Sequence, residues 1–166
     1  MKRDEGIEEL FKAEFERLVA ALAAATGDPE MAADAVQAAF VQAHFHWRRV
    51  SQYAAPAAWV RRVAVNRLRN ERRGQRRRLS AIGRLSRERA SGDGDPGERL
   101  ALPGLAPAIA ALPERQRLAL ALYYLGGLSV HEVAEAMGVA PGTVKSHLHR
   151  ARSELARRLE VDRDES

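Results

Sequence analysis

LSVHEVAEAMGVAPGTVKSHLHRAR, residues 128–152, is the stretch on which the fold turns. Ser129-Val130-His131-Glu132 has the form of a capping box: the Ser129 hydroxyl can accept from the Glu132 amide while the Glu132 carboxylate reaches back, so a helix begins at Val130. Val130, Val133, Ala134 and Met137 give that helix one apolar face. Gly138 permits a left-handed turn at its end, and a longer helix follows from about Pro141, with Val144, Leu148, Ala151, Leu155 and Leu159 expected to be buried. Helix, tight glycine turn, helix is the spacing that braces a second helix so that its N-terminal side chains enter a major groove. On that helix Thr143, Lys145, Ser146, His149 and Arg150 point away from the Val144, Leu148, Ala151 stripe, carrying donors that phosphates and base edges accept from. An ordinary αα-hairpin with a solvated basic face has the same pattern. Ala140, just before Pro141, is a poor N-cap that costs about 1 kcal/mol relative to Ser or Asp; a DNA phosphate can supply the missing acceptor.

Upstream, residues 106–112 lead to Pro113, which opens a helix with Leu118, Leu122 and Leu125 on one face and a stop at Gly126-Gly127. Between Gly74 and Gly104 the periodicity fails, and Ser91-Gly92-Asp93-Gly94-Asp95-Pro96-Gly97 has the composition of a flexible linker. Before it, a loop with Ser51, Ala55 and Pro56 precedes a helix whose apolar stripe is Val60, Val63, Ala64 and Leu68. Arg62, Asn66, Arg69, Asn70 and Arg73 share another side of it. Two earlier helices, residues 7–25 and about 29–47, are separated by Gly27-Asp28-Pro29 and read as an antiparallel hairpin. Ile7, Leu10, Phe11, Glu14, Phe15, Leu18, Val19 and Leu22 fall at helical spacing on the first. Met31, Ala35, Val36, Ala39, Phe40, Ala43 and Trp47 do so on the second, and Phe40, Phe45 and Trp47 are expected in the core. The expected fold is all-α, two small helical domains joined by a flexible linker: residues 1–75, a linker over 76–105, residues 106–160 and a tail over 161–166.

The bulk numbers agree. Aromatic residues make up 5% of the 166 residues and apolar residues 46%, which suits helices packed by small aliphatic side chains. There is no cysteine, so disulfides and thiolate metal sites are excluded, and no apolar run has the length of a signal peptide or membrane span; a cytoplasmic protein is expected. The net charge of +5 is unevenly spread. Residues 61–90 hold twelve arginines against Glu71 and Glu88, a net +10, which leaves −5 for the remainder. Such concentration is the footprint of a nucleic-acid contact, because each neutralised phosphate releases condensed counterions. No P-loop, nucleophile elbow or HExxH occurs, and the pairs His44/His46 and His147/His149 sit on different helix faces, so no metal site, cofactor, small-molecule substrate or enzymatic activity is expected.

The run Ala111-Leu112-Pro113-Glu114-Arg115-Gln116-Arg117, then Tyr123-Tyr124, residues 128–134 and residues 142–152 together resemble the C-terminal domain of extracytoplasmic-function sigma factors of RNA polymerase. Gly27-Asp28, residues 33–37, Arg48-Arg49 and residues 58–66 resemble the N-terminal domain of the same family, closest to its actinobacterial sigma-E-like subgroup. The resemblance covers nearly the whole chain apart from the linker and both tips. It implies a transcription initiation factor that binds core RNA polymerase, through the β′ clamp and the β subunit, and promoter DNA, with an anti-sigma factor as a further partner. By position, it implies that Asp34 and Gln37 face the polymerase. Trp59, Arg62, Asn66, Arg69, Asn70 and Arg73 would capture the melted −10 element; Thr143, Lys145, Ser146, His147, His149 and Arg150 would contact the −35 element. His147 stands where relatives often carry Arg, and Ala38-Ala39 where an acidic residue is usual.

The chemistry of strand capture suits these residue types: Trp59 offers a π-face for a base, Asn66 and Asn70 can read base edges, and arginines hold phosphates. Trp59 reads equally as a core aromatic. Two rival functions remain. A helix-turn-helix regulator of the two-component output type would suit residues 143–148, but residues 1–73 show none of the strands of a receiver domain. An Arg-rich nucleic-acid-binding protein would bind through residues 61–90 without sequence preference.

Overall fold

The computed structural model describes residues 2–82 and 104–164, and these fold into eight helices with no strand among them. Helix α1 (Lys2–Thr26) ends where the Thr26 hydroxyl donates to the Leu22 carbonyl at 2.8 Å and Gly27 takes φ 68°. Asp28 caps α2 (Pro29–Phe45), its Oδ1 accepting from the Met31 amide at 3.0 Å with Pro29 in the first turn. Only two residues join the helices, so α2 folds back along α1. Ala32, Ala35, Ala39 and Ala43 are buried in α2, and such small side chains let the two backbones come close. Helix α2 stops two residues short of the expected Trp47, because His46 (φ −105°, ψ 16°) leaves helical geometry. Trp47 instead opens α3 (Trp47–Val50).

Helix α4 (Pro56–Ile82) carries on through Gly74, so residues 76–82, expected in the linker, are helical. A glycine costs a helix about 1 kcal/mol relative to alanine, and the arginine-rich run around it consists of good helix formers whose side chains find carboxylates: Arg76 pairs with Glu114, and Arg78 with Glu71 at 3.3 Å. The flexible-linker reading of residues 91–97 lies outside the described residues.

The second half comprises α5 (Leu105–Ala110), α6 (Glu114–Tyr124), α7 (Val130–Met137) and α8 (Pro141–Asp164). The buried apolar side chains of both halves form one contiguous cluster, with α6 packed on α1 and α7 on α4. Phe40 and Trp47 join it as expected. Phe45 does not: it is 79% exposed, since the helix ends there and its ring leaves the α1 side. Leu125, expected beside Leu118 and Leu122, is 42% exposed because it caps α6 after the last helical turn. Leu155 and Leu159 are half-buried, α8 having run past its neighbours. Among the described residues no helix is long and apolar enough to cross a membrane, and no group of His, Cys, Asp and Glu could hold a metal ion.

Candidate nucleic-acid interface

The helix-turn-helix is built from its caps. Ser129 Oγ accepts from the Glu132 amide at 3.1 Å and Glu132 Oε1 accepts from the Ser129 amide at 3.0 Å, which fixes the start of α7. The hydrogen bonds from Ser129 hold the Glu132 carboxyl below the ordinary carboxylate range, with Arg61 acting in the same direction. Gly138 closes α7 at φ 67°, a left-handed conformation that favours glycine, and α8 follows after two residues. Val144, Leu148 and Ala151 are buried, which turns Thr143, Lys145, Ser146, His149 and Arg150 outward as expected. The Ser146 hydroxyl donates to the Gly142 carbonyl at 3.1 Å, so toward a nucleic acid it remains an acceptor.

His147 departs from its expected place on the exposed face. It is half-buried, and both ring nitrogens are shielded from solvent without a hydrogen-bond partner. Burial, then Arg115 and Arg150, lower its pKa, so the ring is neutral at neutral pH. Positions 144, 147, 148 and 151 follow the i, i+3, i+4, i+7 spacing of one helix face, which is why His147 goes with the core stripe. Arg152 pins α8 to α6, donating to the Tyr124 hydroxyl at 2.9 Å and lying 5.7 and 5.6 Å from the Tyr123 and Tyr124 ring centroids. Farther along, Glu154 accepts from Arg157 and Arg158 and is pushed down to about 2.

On α4, the stripe of Val60, Ala64, Val65 and Leu68 is buried and Trp59 is half-buried against the same core, leaving part of its ring accessible. Arg62, Asn66, Asn70 and Arg73 are exposed, whereas Arg69 is half-buried. Arg62, Asn66, Arg69, Asn70 and Arg73 thus share one helix, while Thr143, Lys145, Ser146, His149 and Arg150 lie on another in the other half. Asp34 and Gln37 are exposed one turn apart on α2 and line a shallow groove with Val41, Phe45 and Arg67. The exposed Val41 and Phe45 add apolar area to that face, a part of it the sequence assigned to the core.

Arg61 was legible in the sequence only as one of twelve arginines. It is 8% exposed, donating to Glu14 at 2.8 and 2.6 Å and to Glu132 at 2.8 Å. Burial works to lower its pKa, but the two carboxylates outweigh burial and raise it. The available signal was a charge at an apolar register on each of two helices: Glu14 within the α1 stripe, and Arg61 one turn before Ala64 and Val65.

A profile described as "Sigma-70 region 2" matches residues 10–78, and one described as "Sigma-70, region 4" matches residues 105–155. The chain is 36% identical over 130 residues to the ECF RNA polymerase sigma factor SigL of Mycobacterium tuberculosis, covering 76% of this chain and 73% of that protein. It is 31% identical over 133 residues to the RNA polymerase sigma-E factor of Streptomyces avermitilis, covering 80% and 73%. Among solved structures, the co-crystal structure of the sigma factor RpoE with the anti-sigma factor NepR from Bartonella quintana aligns with TM-score 0.70 and 26% identity, over 93% of this chain and 96% of that one.

Proposed function

The chain belongs to the extracytoplasmic-function sigma factors of RNA polymerase, and from that premise we propose how its surfaces divide the work of an alternative sigma factor that binds core polymerase and directs promoter-specific initiation. Asp34 and Gln37, with Val41 and Phe45 beside them, face the β′ clamp of core polymerase. The exposed Arg62, Asn66, Asn70 and Arg73 of α4, with the half-buried Arg69 and Trp59, hold the melted −10 strand. Thr143, Lys145, Ser146, His149 and Arg150 of α8 contact the −35 element in duplex form. His147, half-buried with both ring nitrogens shielded, is left out of that contact. Residues 1–75 and 106–160 act as the two functional units, with α4 extending the first to Ile82.

The observation that carries this reading is the presence on one chain of two cationic helix faces of different chemistry. The face on α4 combines arginines with amides and an aromatic ring, which suits unpaired bases. The face on α8 sits on a braced recognition helix, which suits a major groove. The factor works by binding and delivery, without a reaction of its own, in the cytoplasm where polymerase acts. An anti-sigma factor is a fitting regulator, since the structural neighbour was crystallised with one. Run-off transcription with purified core polymerase and a promoter library tests the assignment. Sequence-dependent initiation is expected, and Arg73→Ala or Lys145→Ala should weaken binding to all promoters and flatten its salt dependence. A shift in base preference with these variants would show direct base readout and refute the phosphate roles.

A further inference from the structure

Along α4, Arg69, Arg72, Arg73 and Arg76 stand at i, i+3, i+4 and i+7, so their side chains share one helix face. Like charges one turn apart repel, and this face holds two such pairs, Arg69 with Arg73 and Arg72 with Arg76. Across from them, in the first turn of α6, Arg115 is exposed. These five arginines line one cleft of about 310 Å³ between α4, α6 and the turn that follows α7. Among the described residues its one carboxylate is Glu114, which lies 3.2 Å from Arg72 and also pairs with Arg76. Neither Arg73 nor Arg115 forms an ion pair among the described residues.

Five arginines against one glutamate leave the cleft with a net +4. Leu118, Met137 and Val139 wall it on the other side, and charges beside an apolar wall are screened less than charges in open water. Arg72 Nε is shielded from solvent and, despite its nearness to Glu114, makes no hydrogen bond. The crowding reaches Arg117 as well: burial, then Arg72, lowers its pKa, and Arg76 acts in the same direction. The volume is at the lower end for small-ligand sites, which begin at about 300 Å³. The Arg72 side chain is only 18% exposed, so a compact anion entering the cleft reaches it and a strand lying across the mouth does not. Guanidinium forks on facing walls match the paired oxygens of phosphoryl groups. A monophosphate carries about −1.5 to −2, at most about half of the excess, whereas a di- or triphosphate comes close to balancing it.

We propose that this cleft is a binding site for a small oligophosphate, either free or as the phosphate tail of a nucleotide, held by Arg72, Arg73 and Arg76 from α4 and by Arg115 from α6. No aromatic side chain lines it among the described residues, so a nucleotide base finds no ring to stack on and the phosphates supply the affinity.

Isothermal titration of the full-length chain with pyrophosphate, tripolyphosphate, ATP and sulfate, at matched ionic strength, tests the site. Pyrophosphate and tripolyphosphate should each bind one to a chain, sulfate at least about tenfold more weakly, and Tm should rise with pyrophosphate concentration. Equal affinities for ATP and tripolyphosphate, the expected result, assign the site to the phosphates alone; tighter ATP supports the same cleft with a nucleotide as its ligand. Arg73 and Arg115 are exposed and free of ion pairs among the described residues, so Arg73→Gln/Arg115→Gln should keep the fold. Losing two charge-assisted donors should weaken pyrophosphate binding about a hundredfold, while Arg48→Gln, an exposed charge on α3, should leave it unchanged. The wild-type titration stands by itself if the double variant does not fold. No pyrophosphate binding by the wild type, sulfate binding of equal strength, or an equal loss in Arg48→Gln overturns the proposal. So does a double variant that keeps pyrophosphate affinity and loses only affinity for a single-stranded −10 oligonucleotide, which would give the cleft to the DNA strand.

Discussion

Replacing Arg61 by methionine removes the cation that three helices share. Removing one partner of a buried ion pair costs about 3–5 kcal/mol, because the remaining charge stays desolvated. Two carboxylates would be orphaned here, but not equally. The Glu132 side chain is 39% exposed and that of Glu14 18%. The Glu132 part is therefore screened to the 0–1 kcal/mol or so of an exposed pair, and Glu14 sets the scale at the lower bound for a buried one. A loss of about 3 kcal/mol follows, which for a chain of this size lowers Tm by roughly 6–12 °C. Adding Glu14→Leu to Arg61→Met should recover most of that loss, since an apolar pair replaces the desolvated charge. Thermal unfolding of the wild type, both single variants and the double variant forms a cycle that isolates the coupling. The pH dependence of the clasp has a definite sign. Because the folded Glu132 carboxyl lies below its ordinary 4.5, its contribution is complete above that pH and is lost as pH falls through the folded value. A Tm for Arg61→Met within about 2 °C of wild type at pH 7, or strictly additive single effects, would refute the reasoning.

Asp28→Ala removes the cap of α2 and should cost about 1 kcal/mol in urea unfolding, with Asp28→Asn close to neutral; equal losses would show that the Met31 bond is not what matters. For His147, the unfolded chain titrates near 6.5 and the folded ring lower, so the unfolded state binds more protons below 6.5. Stability is accordingly flat above that pH and falls as pH drops below it, and urea midpoints of His147→Gln across the same range should lose this slope. Lys145→Ala with Arg150→Ala should lower the salt slope of −35 duplex binding by about 2 if each contacts one phosphate; an unchanged slope in a binding titration counts against phosphate contact. Leu122→Ala empties a fully buried site and should cost about 2–5 kcal/mol, seen as a lower urea midpoint with the helix content retained.

The sequence by itself determined every element whose cause is local. Ser129 and Glu132 three residues apart dictate where α7 begins, Gly138 where it ends, and Asp28-Pro29 how α2 starts, because caps and turns depend on neighbours within a few residues. Apolar periodicity likewise sorted the outward side chains of α8 from its core stripe, and a stricter reading of that period would have moved His147 inward. What needed the tertiary structure was the meaning of charges. Arg61 and Glu14 are 47 residues apart, and Arg61 and Glu132 are 71 apart. No local rule distinguishes these residues from solvated ones; only the packing of α7 on α4 and α1 on α6 desolvates them and makes their pairing decisive. Past Gly74, Arg76 of α4 likewise meets a carboxylate, Glu114, supplied by the other half. Two small helical units were legible from their own stripes; that they share one core, with the arginines of one answering the carboxylates of the other, was decided by contacts between segments far apart in the chain.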